Sequence, residues 1–215
     1  TPGHRNWYTN GNIELGEAEL LYLTWKATGE AEYRDLFELQ WHFMMAPPQE
    51  RWKGFGLRYS KEPAKDDGSD GAGYLAEKGS GEPGFDGNYT QVQLDMASRL
   101  YVESRDPRVL RLVHLLLNQL LPRIENENDW TLDMTGGSRQ SYKGRFLSPG
   151  LAVAAWLGNR PDLATKVSSQ FKVIDREYRA AAKQNWNHPN FYRGLGMAVA
   201  VILQAAQDAH SQAAI

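Results

Sequence analysis

The chain contains no cysteine. Disulfides, thiolate nucleophiles, cysteine-ligated zinc and iron–sulfur clusters are thereby excluded. A surplus of either charge is lacking too: 24 Lys and Arg stand against 26 Asp and Glu, a net of -2, which leaves no electrostatic footprint for nucleic acid or an anionic membrane. Apolar runs are short. The longest, around 194–206, is amphipathic and falls below the length of a membrane span, so no transmembrane helix is expected. Glycine-rich phosphate loops, His-Glu-x-x-His and Gly-x-Ser-x-Gly are all missing, which disfavours nucleotide enzymes and zinc peptidases. The absence of cysteine suits a bacterial extracytoplasmic protein as well as a cytoplasmic one, and a secreted or periplasmic location is the expectation.

What the 215 residues do contain is aromatic side chains, with seven Trp and ten Tyr. Large aromatics are costly to expose unless something packs on them, so their placement matters. Helical periodicity dominates and strand-like alternation is scarce. The spacing predicts helices over 13–28, 31–45, 90–104, 107–121, 148–157, 160–182 and 189–210. Gly29 is a natural stop for the first, Pro47-Pro48 for the second and Arg105-Asp106-Pro107 a turn between the third and fourth. Thr90-Gln-Val-Gln93 reads as a capping box. Short turns between such helices make antiparallel hairpins of similar design. The predicted fold is therefore all-α, a single domain of stacked helical hairpins interrupted by one long irregular loop over 46–88. Such a loop in a compact domain is usually functional, and its aromatics argue against plain disorder.

Trp25, Trp41 and Trp156 fall on helical stripes and read as core. Trp7, Trp52, Trp130 and Trp186 fall in loops beside amides and charges. The densest segment is Trp7-Tyr8-Thr9-Asn10-Gly11-Asn12, and the next is Trp186-Asn187-His188-Pro189-Asn190-Phe191-Tyr192-Arg193. Tyr74 belongs to the long loop. Pyranose faces stack on such rings while amides, carboxylates and Arg engage hydroxyls, so a carbohydrate suits this lining. Helix capping by Asn and loop anchoring by Trp explain the same residues without a ligand. Stacked hairpins gather alternate loops at one end, which favours the carbohydrate reading.

Gly84-Phe-Asp-Gly-Asn-Tyr-Thr-Gln91, entering a helix among hairpins with Ala-Thr-Gly-Glu turns, resembles the α/α-toroid polysaccharide lyases, the group that includes chondroitin, alginate and heparin lyases. The histidine that usually follows the glutamine in that group is Val92 here. A complete toroid also needs more helices than this chain has, so the resemblance implies an incomplete toroid, or one completed by a further domain or subunit. It implies β-elimination of a uronate-containing polysaccharide. Such a reaction neutralises the sugar carboxylate, removes the C5 proton and protonates the leaving oxygen.

The candidates are Asn10 or Asn12 and Arg139 as neutralisers, His42 or His188 as base, His188 being the better placed beside a loop Trp at a helix start, and Tyr89 or Tyr192 as acid. Trp7, Tyr8, Asn12, Trp52, Tyr74, Asn88, Gln91, Trp130, Trp186, Asn190, Tyr192 and Arg193 are the expected sugar contacts. In the alternative, a glycoside hydrolase, Asp86 is the best single carboxylate because a loop can aim it into a cleft, and Asp95 lies one turn beyond Gln91. A non-catalytic glycan-binding module uses the same aromatics without turnover. No cofactor is expected. Asp66-Asp67-Gly68-Ser69-Asp70-Gly71 places oxygens at alternating positions and Glu77 at the twelfth, but the intervening Gly-Ala-Gly departs from a calcium loop, and a solvated acidic turn is the default.

Overall fold

In the computed structural model, residues 10–50, 55–79, 81–183 and 189–213 are described, without the side chains of 181–183, 189–197 and 212–213. Seven helices dominate: α1 (Gly11–Thr28), α2 (Ala31–Met45), α3 (Gly87–Ser104), α4 (Pro107–Leu120), α5 (Gly150–Trp156), α6 (Ala164–Lys183) and α7 (Pro189–Ala213). Their ends follow local chemistry. Gly29 takes the left-handed conformation at φ 74° and donates its N–H to the Trp25 carbonyl at 2.7 Å, closing α1. Asp106 accepts the Arg108 N–H at 2.8 Å and Pro107 occupies the first position of α4, where no N–H is needed. The start of α3 differs from the expected capping box. Asp86 is the cap, and Thr90 lies inside the helix, fully buried.

Contacts at both ends fix how the hairpins stack. Near the starts, Gly11 of α1 approaches Gln93 of α3, and Gly150 of α5 sits beside Leu94. Near the far ends, the Tyr22 hydroxyl donates to the Glu103 carbonyl at 3.3 Å, and the Tyr101 hydroxyl to the Leu157 carbonyl at 3.4 Å. So α1, α3 and α5 run parallel as one layer, and α2, α4 and α6 return beside them. Arg108 of α4 clasps Glu38 of α2 at 2.7 and 2.9 Å, while α7 packs on α3, α5 and α6. Because alternate helices start at the same end, the long connections after α2 and α4 both collect there.

Those connections are not wholly irregular. The first holds an antiparallel pair, β1 (Leu57–Lys61) and β2 (Ala72–Leu75), in the register Leu57 opposite Leu75 with a bulge between Tyr59 and Lys61. The second holds a three-stranded antiparallel sheet, β3 (Ile124–Asn126), β4 (Thr131–Asp133) and β5 (Lys143–Arg145), with β4 central. The expectation of an all-α chain is corrected accordingly: mostly helical, with two small sheets. Strands of three to five residues are too short to register as alternation.

One continuous apolar core runs through all of this, from Leu15, Phe37 and Trp41 through Leu57, Leu75, Leu94, Leu116 and Leu132 to Leu151, Ile174 and Ile202. Trp41 is buried, and Trp25 and Trp156 pack partly buried against the core. Trp130 corrects the sequence reading. It is 0% exposed, stacked at 6.0 Å on Phe146, with its indole N–H donated to Ser169 at 3.3 Å. A left-handed φ of 54° turns this ring inward from the β3–β4 turn, so it is a core residue and no sugar platform.

Candidate functional site

Where the starts of α1 and α3 meet the chain leaving β2, Asn12 and Arg139 reach Glu77, which the sequence did not single out as a centre, and Asn10, Asp86, Asn88 and Tyr89 lie around them. Glu77 follows β2 by two residues and bridges to Gly84 through two backbone hydrogen bonds, 2.9 and 2.8 Å, just before Phe85-Asp86. Its side chain is 0% exposed. The carboxylate accepts the Asn12 backbone N–H at 2.7 Å and the Gln93 amide at 2.9 Å on Oε1, and Arg139 Nη1 reaches Oε2 at 3.4 Å. Burial pushes Glu77 up to about 7, against the opposing pull of those N–H donors and of Arg139. Gln93 is itself locked, accepting from the Leu75 N–H at 3.2 Å and donating to the Leu75 carbonyl at 3.0 Å.

Arg139 is partly exposed, its side chain at 30%, and its guanidinium lies 4.1 Å from the centroid of the Tyr89 ring. It thus has a buried carboxylate on one side and an aromatic face on another. The loop carrying it is pinned by backbone. Ser138 donates its N–H to the Phe85 carbonyl and its hydroxyl to the Glu77 carbonyl, both at 2.8 Å.

Asp86, expected to aim into a cleft, does the opposite. It is 0% exposed and accepts three backbone N–H groups, from Tyr89 at 3.0 Å, Arg139 at 2.8 Å and Gln140 at 2.7 Å. A carboxylate so saturated welds the start of α3 to the Arg139 loop and has no oxygen to spare for a substrate. Asn10 accepts the Lys78 N–H at 3.0 Å, tying the start of α1 to the residue after Glu77. The Asn12 side-chain oxygen is buried and has no hydrogen-bond partner among the described residues. Asn88 accepts the Tyr142 hydroxyl at 2.7 Å. That bond places the exposed Tyr142 ring beside the same cluster, and burial, then Asp86 and Tyr89, raise its phenol.

The remaining expected contacts are dispersed. Tyr74 is half-buried with its ring edge-on to Phe85 at 5.4 Å, a packing role. Gln91 is half-buried on α3, its side-chain oxygen without a partner among the described residues. One turn on, Asp95 is raised to about 7 by burial, opposed by the Ser148 hydroxyl and Arg99. Trp7, Tyr8, Trp52, Trp186 and His188 lie outside the described residues, as do the side chains of Asn190, Tyr192 and Arg193. Two surface depressions, about 810 Å³ beside Pro47, Leu57 and Tyr59 and about 580 Å³ beside Lys61, Asn118 and Arg123, do not reach Glu77.

The acidic run at 66–71 is a set of turns. Asp67 accepts the Ser69 N–H and Asp70 those of Ala64 and Lys65. Several carbonyls of the loop are taken by α4: Lys65 and Asp66 by Arg111, Asp67 by His114, Ser69 and Gly71 by Asn118. No cluster of three metal-ligating side chains occurs among the described residues. No helix there is long and apolar enough to cross a membrane.

Comparison with known protein families, with characterised proteins and with solved structures gave no match. The sequence offers Glu77 only as the last position of a calcium-type loop and Gln93 only as part of a capping box, and points to neither as part of this cluster. Glu77 gains its place from a bridge to Gly84, and that pairing leaves no motif.

Proposed function

We propose that the protein is carbohydrate-active and cleaves a uronate-containing polysaccharide by β-elimination, on a scaffold that is an incomplete α/α-toroid. The observation that carries this reading is the Arg139–Tyr89 pair, a half-exposed cation stacked on a phenol ring at the end of the stack where the long loops gather. Arg139 receives the sugar carboxylate, which delocalises charge as the C5 proton leaves. That proton passes to a base, for which His188 is the candidate by its place in sequence. The C4–O bond then breaks, a C4–C5 double bond forms, and the Tyr89 hydroxyl protonates the departing oxygen. Asn12 and Asn88 supply amides for neighbouring hydroxyls. A partner domain or subunit completes the ring.

A hydrolase reading has one observation in its favour, a carboxyl raised to about 7 at Glu77, the range a general acid needs. Its complete burial argues for a supporting role instead. Incubation with pectate, alginate, hyaluronan and heparin decides among the readings. β-Elimination gives the ultraviolet absorbance of an unsaturated uronate, lost about a hundredfold or more in Arg139→Ala and Tyr89→Phe. New reducing ends without that absorbance mean hydrolysis, and binding with neither means a glycan-binding module.

A further inference from the structure

Arg139 has two competing obligations. Its backbone N–H is fixed on Asp86, so the loop cannot leave, but among the described residues its side chain is held by the Tyr89 face and by one contact to Glu77 of 3.4 Å, long for a charged hydrogen bond. Glu77 in turn is held in place on Oε1 by the Asn12 N–H and the Gln93 amide, while Arg139 reaches Oε2. We infer that Glu77 is the positioning residue for Arg139: its carboxylate draws the guanidinium inward, and a sugar carboxylate arriving at the open edge takes over that charge while Glu77 takes up a proton from solvent. The inference rests on the reading that this site receives a uronate.

The surroundings of Glu77 make the exchange selective. From α1 it faces a backbone N–H at the helix start, a fixed partial positive charge, with Glu14 in the same first turn. α3 presents the neutral Gln93 amide, together with Asp86, whose oxygens are occupied. Lys78 is its neighbour in the chain, and its backbone is held by Asn10. Arg139 is the charged side chain whose field opposes protonation of Glu77, so whatever neutralises Arg139 favours the protonated carboxyl. Burial has already brought Glu77 to about 7, where a modest change in the field of Arg139 switches its state.

The sign follows by linkage. Binding an anion at Arg139 raises the Glu77 pKa, so affinity falls as pH rises through neutrality, about tenfold for each pKa unit by which the ligand raises it. The test uses the full chain labelled at arginine with ¹³C and ¹⁵N, the Arg139 guanidinium signal being identified by its loss in Arg139→Lys. Without ligand, that signal moves between pH 5.5 and 8.5 with a midpoint near 7 in the wild type, and is flat in Glu77→Gln. Calorimetric titration with trigalacturonate, in buffers of different ionisation enthalpy, shows up to one proton taken up per ligand in the wild type and none in Glu77→Gln. An Arg139 signal that ignores pH in the folded wild type overturns the inference, whether or not the variant folds. Arg139-dependent binding with no proton uptake overturns it as well. If the signal titrates with Glu77 but trigalacturonate does not bind, the tether stands and the uronate reading fails.

Discussion

Glu77 has no exposed surface, three groups pointed at its oxygens, and an environment that resists its negative charge. Nearby Asp86 is equally buried, but its three donors are all backbone N–H groups, which tie the start of α3 to the Arg139 loop, whereas Glu77 meets one backbone N–H, a side-chain amide and a partly exposed guanidinium. A thermodynamic consequence follows for Glu77. Its folded-state pKa lies near 7 against an ordinary 4.5, so between those values the native state holds a proton that the unfolded chain has lost. Stability from this group is complete below pH about 4.5 and is lost as pH rises through about 7, a change on the order of 3 kcal/mol. Urea denaturation of the wild type and Glu77→Gln at pH 5 and pH 8 is expected to show the difference between the two proteins moving by roughly that amount, in favour of Gln at pH 8. Asp95, also raised to about 7, contributes its slope to both proteins and cancels. An identical pH dependence in the two would remove Glu77 as a titrating group.

The connection between β1 and β2 is held down by side chains of α4 rather than by its own strands. Asn118 donates to the Ser69 carbonyl at 2.9 Å and to the Gly71 carbonyl at 2.7 Å, Arg111 donates to the Lys65 and Asp66 carbonyls at 3.2 and 2.7 Å, and a buried His114 meets the Asp67 carbonyl at 2.8 Å. Burial lowers the His114 pKa, so the ring is kept neutral. Removing Asn118 takes the donor from the Gly71 carbonyl and leaves the Ser69 carbonyl with the long contact from Arg160 at 3.4 Å. Asn118→Ala is expected to cost about 1–3 kcal/mol, and hydrogen exchange of the amides at 68–71 accelerates while those of α1 keep their protection. Uniform acceleration would mean that the loop is not a separately opening unit. None of these contacts was legible in sequence, because α4 meets the loop across more than forty residues. What was legible is short-ranged: Gly29, Pro47 and Pro107 each end or start a helix by chemistry within a few residues, and the helices stand close to their expected spans. The same limit divides the site. Asn10, Asp86, Tyr89 and Arg139 were singled out because helix starts and loops advertise themselves, whereas Glu77 depends on a backbone bridge and a Gln93 sixteen residues away. Trp130 misled for the opposite reason. Its neighbours are polar, and one left-handed φ decides that its ring points inward.

The chain offers two arrangements that would unfold separately: a first half of α1 to α4 with its hairpin, and a second of the three-stranded sheet with α5 to α7. The core argues against that division. α5 is a seven-residue helix with six residues buried, too short to stand alone, and it fits between halves through Gly150 on Leu94 and Leu157 on the Tyr101 hydroxyl. A side chain at 150 would meet Leu94 at 2.4 Å, so the close approach of α5 to α3 requires glycine there. Apolar contact is continuous from Leu15 to Ala205, with Trp41 buried in the first half and Trp130 in the second. A single core of this kind unfolds as one unit. Two variants, one in which every tryptophan but Trp41 and one in which every tryptophan but Trp130 is replaced by Phe, are therefore expected to lose tryptophan fluorescence at a denaturant midpoint that coincides with loss of helical circular dichroism in the same variant. The substitutions lower the midpoint for both probes together. If instead the fluorescence of the variant that keeps Trp130 changes well before its helical signal, the sheet and α5 to α7 open independently. The end of the stack that holds Glu77 would then rest on the first half alone, since α1, β2 and α3 all belong to it, with only the Arg139 loop contributed from beyond α4.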